Sequence, residues 1–217
     1  MFIAFEGPEG AGKTTQVELL VERLVRHGVP YVRTREPGGT PLGRQLRELL
    51  LHSLSARLTP KEETLILALD RLRHVREVIR PALDAGKVVV TDRYADSTLA
   101  HQGHGGEVAF ETLQWLIDYA TDGLQPDLTV LLDVDVALGI ERRQEAFRTG
   151  HGEFNRIDGR DLTYHARVSA GYQELAARSP DRYLLIDGNQ PIPTVADAVW
   201  QRVSSAVASR PVPGRSG

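Results

Sequence analysis

Five short apolar runs punctuate the chain at Phe2 to Phe5, Tyr31 to Thr34, Val88 to Thr91, Leu128 to Asp133 and Tyr183 to Ile186. Each is too short for a helix and has the composition of a buried strand. Between them the apolar positions recur at helical spacing: Val17, Leu20, Val21, Leu24 and Val25 make one stripe, which Gly28 closes. A second helix is marked by Thr59-Pro60-Lys61-Glu62, which combines an N-cap, a proline at the first helical position and a capping-box glutamate. Its pattern runs to Leu83, with Pro81 expected to kink or restart it and Gly86 to end it. Short strands alternating with amphipathic helices predict an α/β fold: a five-stranded parallel sheet with helices on both faces, ligands binding at the carboxyl ends of the strands.

The first strand opens directly into Gly7-Pro8-Glu9-Gly10-Ala11-Gly12-Lys13-Thr14-Thr15. Glycines at this spacing let backbone N–H groups converge on phosphate oxygens, Lys13 can reach the β- and γ-phosphates, and Thr14 can offer its hydroxyl to Mg²⁺. The helix that follows points its N-terminus at the anion. Strand, loop and helix agree, so a nucleoside triphosphate is the expected ligand, although such a loop serves kinases, motors and switch ATPases alike.

The other strand ends narrow the choice. After the second strand, Arg35-Glu36-Pro37-Gly38-Gly39-Thr40 pairs a stiff proline with two permissive glycines. After the third comes Asp92-Arg93-Tyr94, in which the acid is positioned to hold Mg²⁺ through water and the guanidinium fork suits a phosphate; an interior salt bridge is the other reading. On the long helix, Arg71 can reach inward to a base while Arg73 fits a solvated face. The stretch from about 142 to 158, charged and containing Gly150 and Gly152, reads as a lid carrying Arg142, Arg143, Arg148 and Arg156, or as a solvated surface loop.

Composition changes the picture only by exclusion. The 217 residues are 41% hydrophobic and 25% charged, as in one ordinary globular domain, here expected over 1–210 with 211–217 a Pro/Gly/Ser-rich tail. A net charge of −3 provides no field for a nucleic acid polymer. The chain has no cysteine, which removes disulfides and thiolate metal sites, and no apolar stretch long enough for a bilayer, so a cytoplasmic protein is expected.

Four segments in order, Gly7 to Thr15, Thr34 to Thr40, Asp92-Arg93-Tyr94 with Asp96-Ser97-Thr98, and Asn155-Arg156-Ile157-Asp158, closely resemble bacterial thymidylate kinases over nearly the whole chain. The resemblance implies a P-loop nucleoside monophosphate kinase fold, a three-layer sandwich, usually a homodimer, that moves the γ-phosphoryl of ATP to dTMP with Mg²⁺. It implies that Arg93, helped by Arg35 and Arg47, holds the dTMP phosphate and that Arg71 hydrogen-bonds thymine. Pro37, Ser97, Thr98 and Gln102 would lie against the substrate, Glu9 near the sugar 3′-hydroxyl and the metal, and Thr14 and Asp92 at the metal. Some members carry an arginine inside the phosphate loop; Gly10 stands there in this chain, which places it with those that supply the arginine from the lid, in the order Arg156, Arg148, Arg143. Two departures stand out: Leu67 where an aromatic ring commonly stacks on the base, and His101 where tyrosine is frequent. Loss of one stacked ring costs about 1 kcal/mol. The rival readings are a kinase for another nucleoside monophosphate and a switch ATPase, which needs no small acceptor.

Overall fold

The computed structural model describes residues 1–52, 58–151 and 154–208. Strands β1 (Phe2–Glu6), β2 (Tyr31–Arg35), β3 (Val88–Asp92), β4 (Leu128–Asp133) and β5 (Tyr183–Asp187) form one parallel sheet in the order β2-β3-β1-β4-β5. Alternate residues feed opposite cores. Ile3, Phe5, Val88, Val90, Leu128, Val130 and Leu132 pack beneath α1 (Lys13–Arg26) with Val17, Leu20 and Leu24. Phe2, Ala4 and Val89 face the other layer, with Val75, Ile79 and Leu113. Burial on both faces is why these strands read as continuous apolar runs.

Four strands extend one residue beyond the apolar run, to Glu6, Arg35, Asp92 and Asp187. The parallel ladder carries these polar residues, with Glu6 opposite Leu131 and Arg35 opposite Asp92. Polar side chains are thus set at the rim of the sheet by strand hydrogen bonding.

The remaining helices are α2 (Pro41–His52), α3 (Pro60–His74), α4 (Arg80–Asp84), α5 (Ala95–Thr98), α6 (Phe110–Thr121), α7 (Val136–Arg148), α8 (Leu162–Arg178) and α9 (Ile192–Ala208). The capping box at Thr59 and Glu62 is formed. Pro81 neither ends the helix nor restarts it after a break: a π-helical turn over Val75–Ile79 joins α3 to α4, and the Arg80 N–H reaches back to the Val75 carbonyl. The wider turn leaves room for a residue without an N–H, and Gly86, at φ 74°, follows as expected. A second π-helical stretch, Leu99–Gly105, continues α5.

The stretch from 142 to 158 is more regular than its glycines imply. Arg142, Arg143 and Arg148 lie on α7, and only the residues from Thr149 onward leave the helix. Gly152, Glu153 and the tail 211–217 lie outside the described residues.

Candidate active site

The rim residues of β1, β2 and β3 converge with the phosphate loop on a cleft of about 350 Å³. Its lining brings together Glu9, Gly10, Gly12, Lys13, Thr14 and Thr15 of the loop, Arg35 and Pro37 after β2, Arg47 of α2, Leu67 and Arg71 of α3, and Asp92 and Arg93 at β3. Ser97, Thr98, His101 and Gln102 complete it from α5 and its continuation, and Arg142 and Arg143 from α7. Gly7, Pro8 and Ala11 lie behind the lining and shape the loop. The Gly7 and Pro8 carbonyls accept from Lys13 Nζ at 3.0 and 2.7 Å. Burial pulls the Lys13 ammonium down to about 8, with Arg93 adding to the effect and Glu9 and Asp92 opposing it.

Gly10 is more than a permissive hinge. It sits at φ 72°, and a Cβ there would stand 2.0 Å from the Gly139 carbonyl oxygen of α7. The seat that takes an arginine in some relatives is filled in this chain by the backbone of α7. That helix brings Arg142 and Arg143 to the cleft instead.

Arg93 occupies a left-handed conformation, φ 71°, with its N–H bonded to the Phe5 carbonyl at 2.9 Å. Its Nη2 donates to Glu9 Oε1 at 2.6 Å, and Nη1 donates toward the Gly7 carbonyl, Ser97 Oγ and Tyr172 Oη at 3.2, 3.1 and 2.9 Å. Beneath it, fully buried Glu6 accepts from the Tyr94 N–H at 2.8 Å and from Ser97 Oγ at 2.6 Å. Burial pushes Glu6 up to about 7, helped by Asp96 and opposed by Arg93. Burial acts the same way on Glu9, but Arg93 and Lys13 outweigh it and hold that carboxylate well below its usual range. His101, buried and facing Arg93, is pushed down to about 3, first by desolvation and then by that guanidinium, so its imidazole is neutral; Tyr164 Oη lies 3.1 Å from its Nδ1.

Arg71 is equally fixed. Nε donates to Glu36 Oε2 at 2.8 Å, and Nη2 to the Tyr94 carbonyl and Thr98 Oγ1 at 3.0 and 3.1 Å. Glu36 Oε1 in turn pairs with His74 Nδ1 at 2.8 Å, and His74 Nε2 lies 2.6 Å from Thr34 Oγ1. Arg73 pairs with Glu77 on the outer face.

The lid arginines fall in an order other than the expected one. Arg143 lines the cleft, its guanidinium gripped by Asp158 at 3.0 and 2.8 Å. Arg148, at the exposed end of α7, pairs with Glu145 and does not reach the cleft. Arg156 is turned away too: it donates to the Leu50 carbonyl at 3.2 and 3.0 Å and pairs with Glu63 at 2.8 Å. The partners of Arg156 come from α2 and α3, which is why its place next to a helix start misled the reading. Arg142 donates to the Gly188 carbonyl at 3.1 Å, beside the Asn189-Gln190-Pro191 turn.

Glu36, Glu63, Tyr164 and Tyr172 were not singled out by the sequence. For Glu63 a signal existed: Glu63, Leu67 and Arg71 follow one another at four-residue spacing, hence on one face of α3. The two tyrosines carry no local signal.

The family model for thymidylate kinase matches residues 5–199. The chain belongs to the thymidylate kinase family. It is 48% identical over 206 residues to the thymidylate kinase of Thermomicrobium roseum, covering 95% of each chain. With that of Desulfovibrio desulfuricans it shares 48% over 193 residues, 88% of this chain and 89% of the relative. The crystal structure of thymidylate kinase from Ehrlichia chaffeensis superposes with a TM-score of 0.75 at 33% identity, over 94% of this chain and 98% of that one. As a thymidylate kinase-family phosphotransferase the chain has the P-loop nucleoside monophosphate kinase fold, and among the described residues no helix is long and apolar enough to cross a membrane.

Proposed function

We propose that the chain moves the γ-phosphoryl group of ATP onto the 5′-phosphate of dTMP, giving dTDP and ADP. The observation that carries this reading is the meeting, in one cleft, of a triphosphate loop with a second set of guanidinium groups, Arg35, Arg47, Arg71 and Arg93, suited to a second anionic nucleotide. A switch ATPase has no use for that second set.

In this reading Lys13 and the Gly7 to Thr15 loop hold the ATP phosphates, and Arg93, with Arg35 and Arg47, holds the acceptor phosphate in line. An acceptor oxygen attacks the γ-phosphorus as the bond to the β–γ bridging oxygen breaks. No general base is needed, because a phosphate monoester loses its second proton near pH about 6. Arg143 neutralises charge on the transferring group from the α7 side, while Arg156 holds the segment that carries it. Glu9 faces the sugar, and Leu67, Arg71, Ser97, Thr98, His101 and Gln102 surround the base.

Thr14 Oγ1 donates to Asp92 Oδ2 at 2.6 Å, a pair of hard oxygen ligands beside the phosphate loop. No cluster of three protein ligands exists among the described residues. That donor set fits Mg²⁺, which takes one or two protein oxygens and fills its shell with phosphate and water. When bound it supplies charge neutralisation between the β- and γ-phosphates. We further propose a homodimer, for which Leu65 and Leu69 of α3 and the stacked Trp115 and Tyr119 of α6 offer exposed apolar surface, and a cytoplasmic setting, where both nucleotides are found.

ADP release from Mg·ATP with dTMP, dUMP, dCMP, dGMP, AMP and no acceptor tests the reading. Turnover that depends on dTMP, with dUMP behind by the value of one methyl group, about 1 to 3 kcal/mol, is expected. Equal rates with and without acceptors refute it.

A further inference from the structure

Glu63 is fully buried on α3, with each carboxylate oxygen committed to a different side of the molecule. Oε1 receives Arg156 Nη1 at 2.8 Å and Arg160 Nη2 at 2.5 Å from the segment that follows α7. Oε2 receives Gln102 Nε2 at 2.9 Å from the wall of the cleft. Gln102 is 3% exposed, lines the cleft, and its Oε1 has no hydrogen-bond partner among the described residues. A buried amide oxygen left unpaired is costly and points to a ligand that supplies a donor.

A carboxylate flanked by two guanidinium groups can only accept. It therefore forces the Gln102 amide to present its NH₂ to Glu63 and its oxygen to the opposite side. We infer that Glu63 is a positioning residue for base selection: it locks Gln102 as an acceptor, so that the cleft takes a pyrimidine with a ring N–H beside a keto oxygen and turns away one whose ring nitrogen is itself an acceptor. Arg71, on the same face of α3, supplies the donor that complements the keto oxygen. The inference rests on the proposed dTMP reading and adds to it the residue that sets the direction of a hydrogen bond.

Glu63→Gln is a sharp test because Arg156 and Arg160 choose the orientation of the substituted amide. Its oxygen must face the two guanidinium groups, so its NH₂ faces Gln102, whose amide then reverses and offers a donor to the cleft. The kcat/KM values of wild type, E63Q, Q102A and the double variant are measured with dTMP and dCMP. In E63Q the dTMP:dCMP ratio is expected to fall by about tenfold or more, chiefly through KM for dTMP, with dCMP gaining. In the Q102A background the same change is expected to leave the ratio unmoved. A wild-type ratio in E63Q, or an equal fall in both backgrounds, overturns the inference. If E63Q does not fold, Glu63→Asp decides: it keeps an obligate acceptor and is expected to keep the ratio while both activities drop, and a collapsed ratio there refutes the proposal. Absence of dTMP turnover in wild type would overturn the underlying reading as well, and is seen before any variant is made.

Discussion

Glu9 Oε1 and Arg93 Nη2 stand 2.6 Å apart across the mouth of the phosphate loop, so the loop that faces ATP and the residue facing the acceptor are joined by one ion pair. The pair is mostly buried, with side chains 15% and 16% exposed. Arg93 is held from below by Ser97 and Tyr172, both of which contact Glu6. A lysine can meet one of these acceptors but not the fork of them. Arg93→Lys is therefore expected to lower kcat by about 10² to 10³ fold, the usual effect of removing one preorganised charge-stabilising donor. Single-turnover rates at saturating dTMP, with circular dichroism to verify the fold, would check this; a loss under about fivefold contradicts the role.

Arg143 and Arg156 separate by the same logic. Arg143→Ala removes a cleft cation and is expected to depress kcat by about tenfold or more with KM for both nucleotides little changed. Arg156→Ala unties the Leu50 carbonyl and Glu63 and is expected to raise KM for dTMP and lower thermal stability while kcat stays within about threefold. Steady-state kinetics of the two variants decide between them, and near-normal kcat in Arg143→Ala restores Arg156 to the catalytic place.

Gly10 faces the Gly139 carbonyl at a distance no Cβ tolerates, and its φ of 72° is itself unfavourable to an L side chain. Gly10→Ala is expected to cost about 2 kcal/mol or more, to lower Tm by about 5 °C or more, and to raise KM for ATP. Gly10→Arg is expected to be worse, not to recreate the loop arginine of other members. Calorimetry on both variants tests this; an unchanged Tm would mean that α7 can move off the loop freely.

Glu6 makes stability fall with pH in a defined window. Its carboxyl is raised from an ordinary 4.5 to about 7 by burial, so between these values the native state binds more protons than the unfolded chain. Stability conferred by the protonated form is then fully present below about 4.5 and lost as pH rises through about 7, a change of about 3 kcal/mol in order of magnitude. Urea unfolding from pH about 5 to 8 is expected to show a steeper decline for wild type than for Glu6→Gln, which cannot ionise. Parallel slopes would assign the pH dependence to other groups.

The parts of the molecule that could be read from the chain are those whose causes are local. Strand runs, the phosphate loop, the Thr59 capping box and the arginines at strand ends each depend on neighbours within a few residues, and all were found close to where they were expected. The strand ends drifted by one residue because a polar residue such as Glu6 or Asp92 is held in the ladder by its partner strand. Tyr172, 79 residues from the Arg93 it supports, has nothing nearby in sequence to announce it. Arg156 misled for the same reason, its anchor at Leu50 lying 106 residues away. Pro81 was read by its usual effect on an α-helix, and the π-turn ahead of it removes that effect. The order of the lid arginines followed from where α7 ends, and that is set by its seat on Gly10.

The π-helical stretch Leu99–Gly105 makes chain length at this point a fixed quantity. A π-turn holds one residue more than the α-turn it replaces, so it behaves as an insertion absorbed without shifting what comes before. Loss of any single residue between Leu99 and Gln102 would let the segment relax to the ordinary period and carry Gln102 about 100° around the axis, out of phase with Ser97 and Thr98. Point substitutions here adjust the pocket by degrees. A one-codon deletion would rotate the half that follows it as a block, and recovery would call for an equal insertion before the wall of the pocket resumes at Gln102.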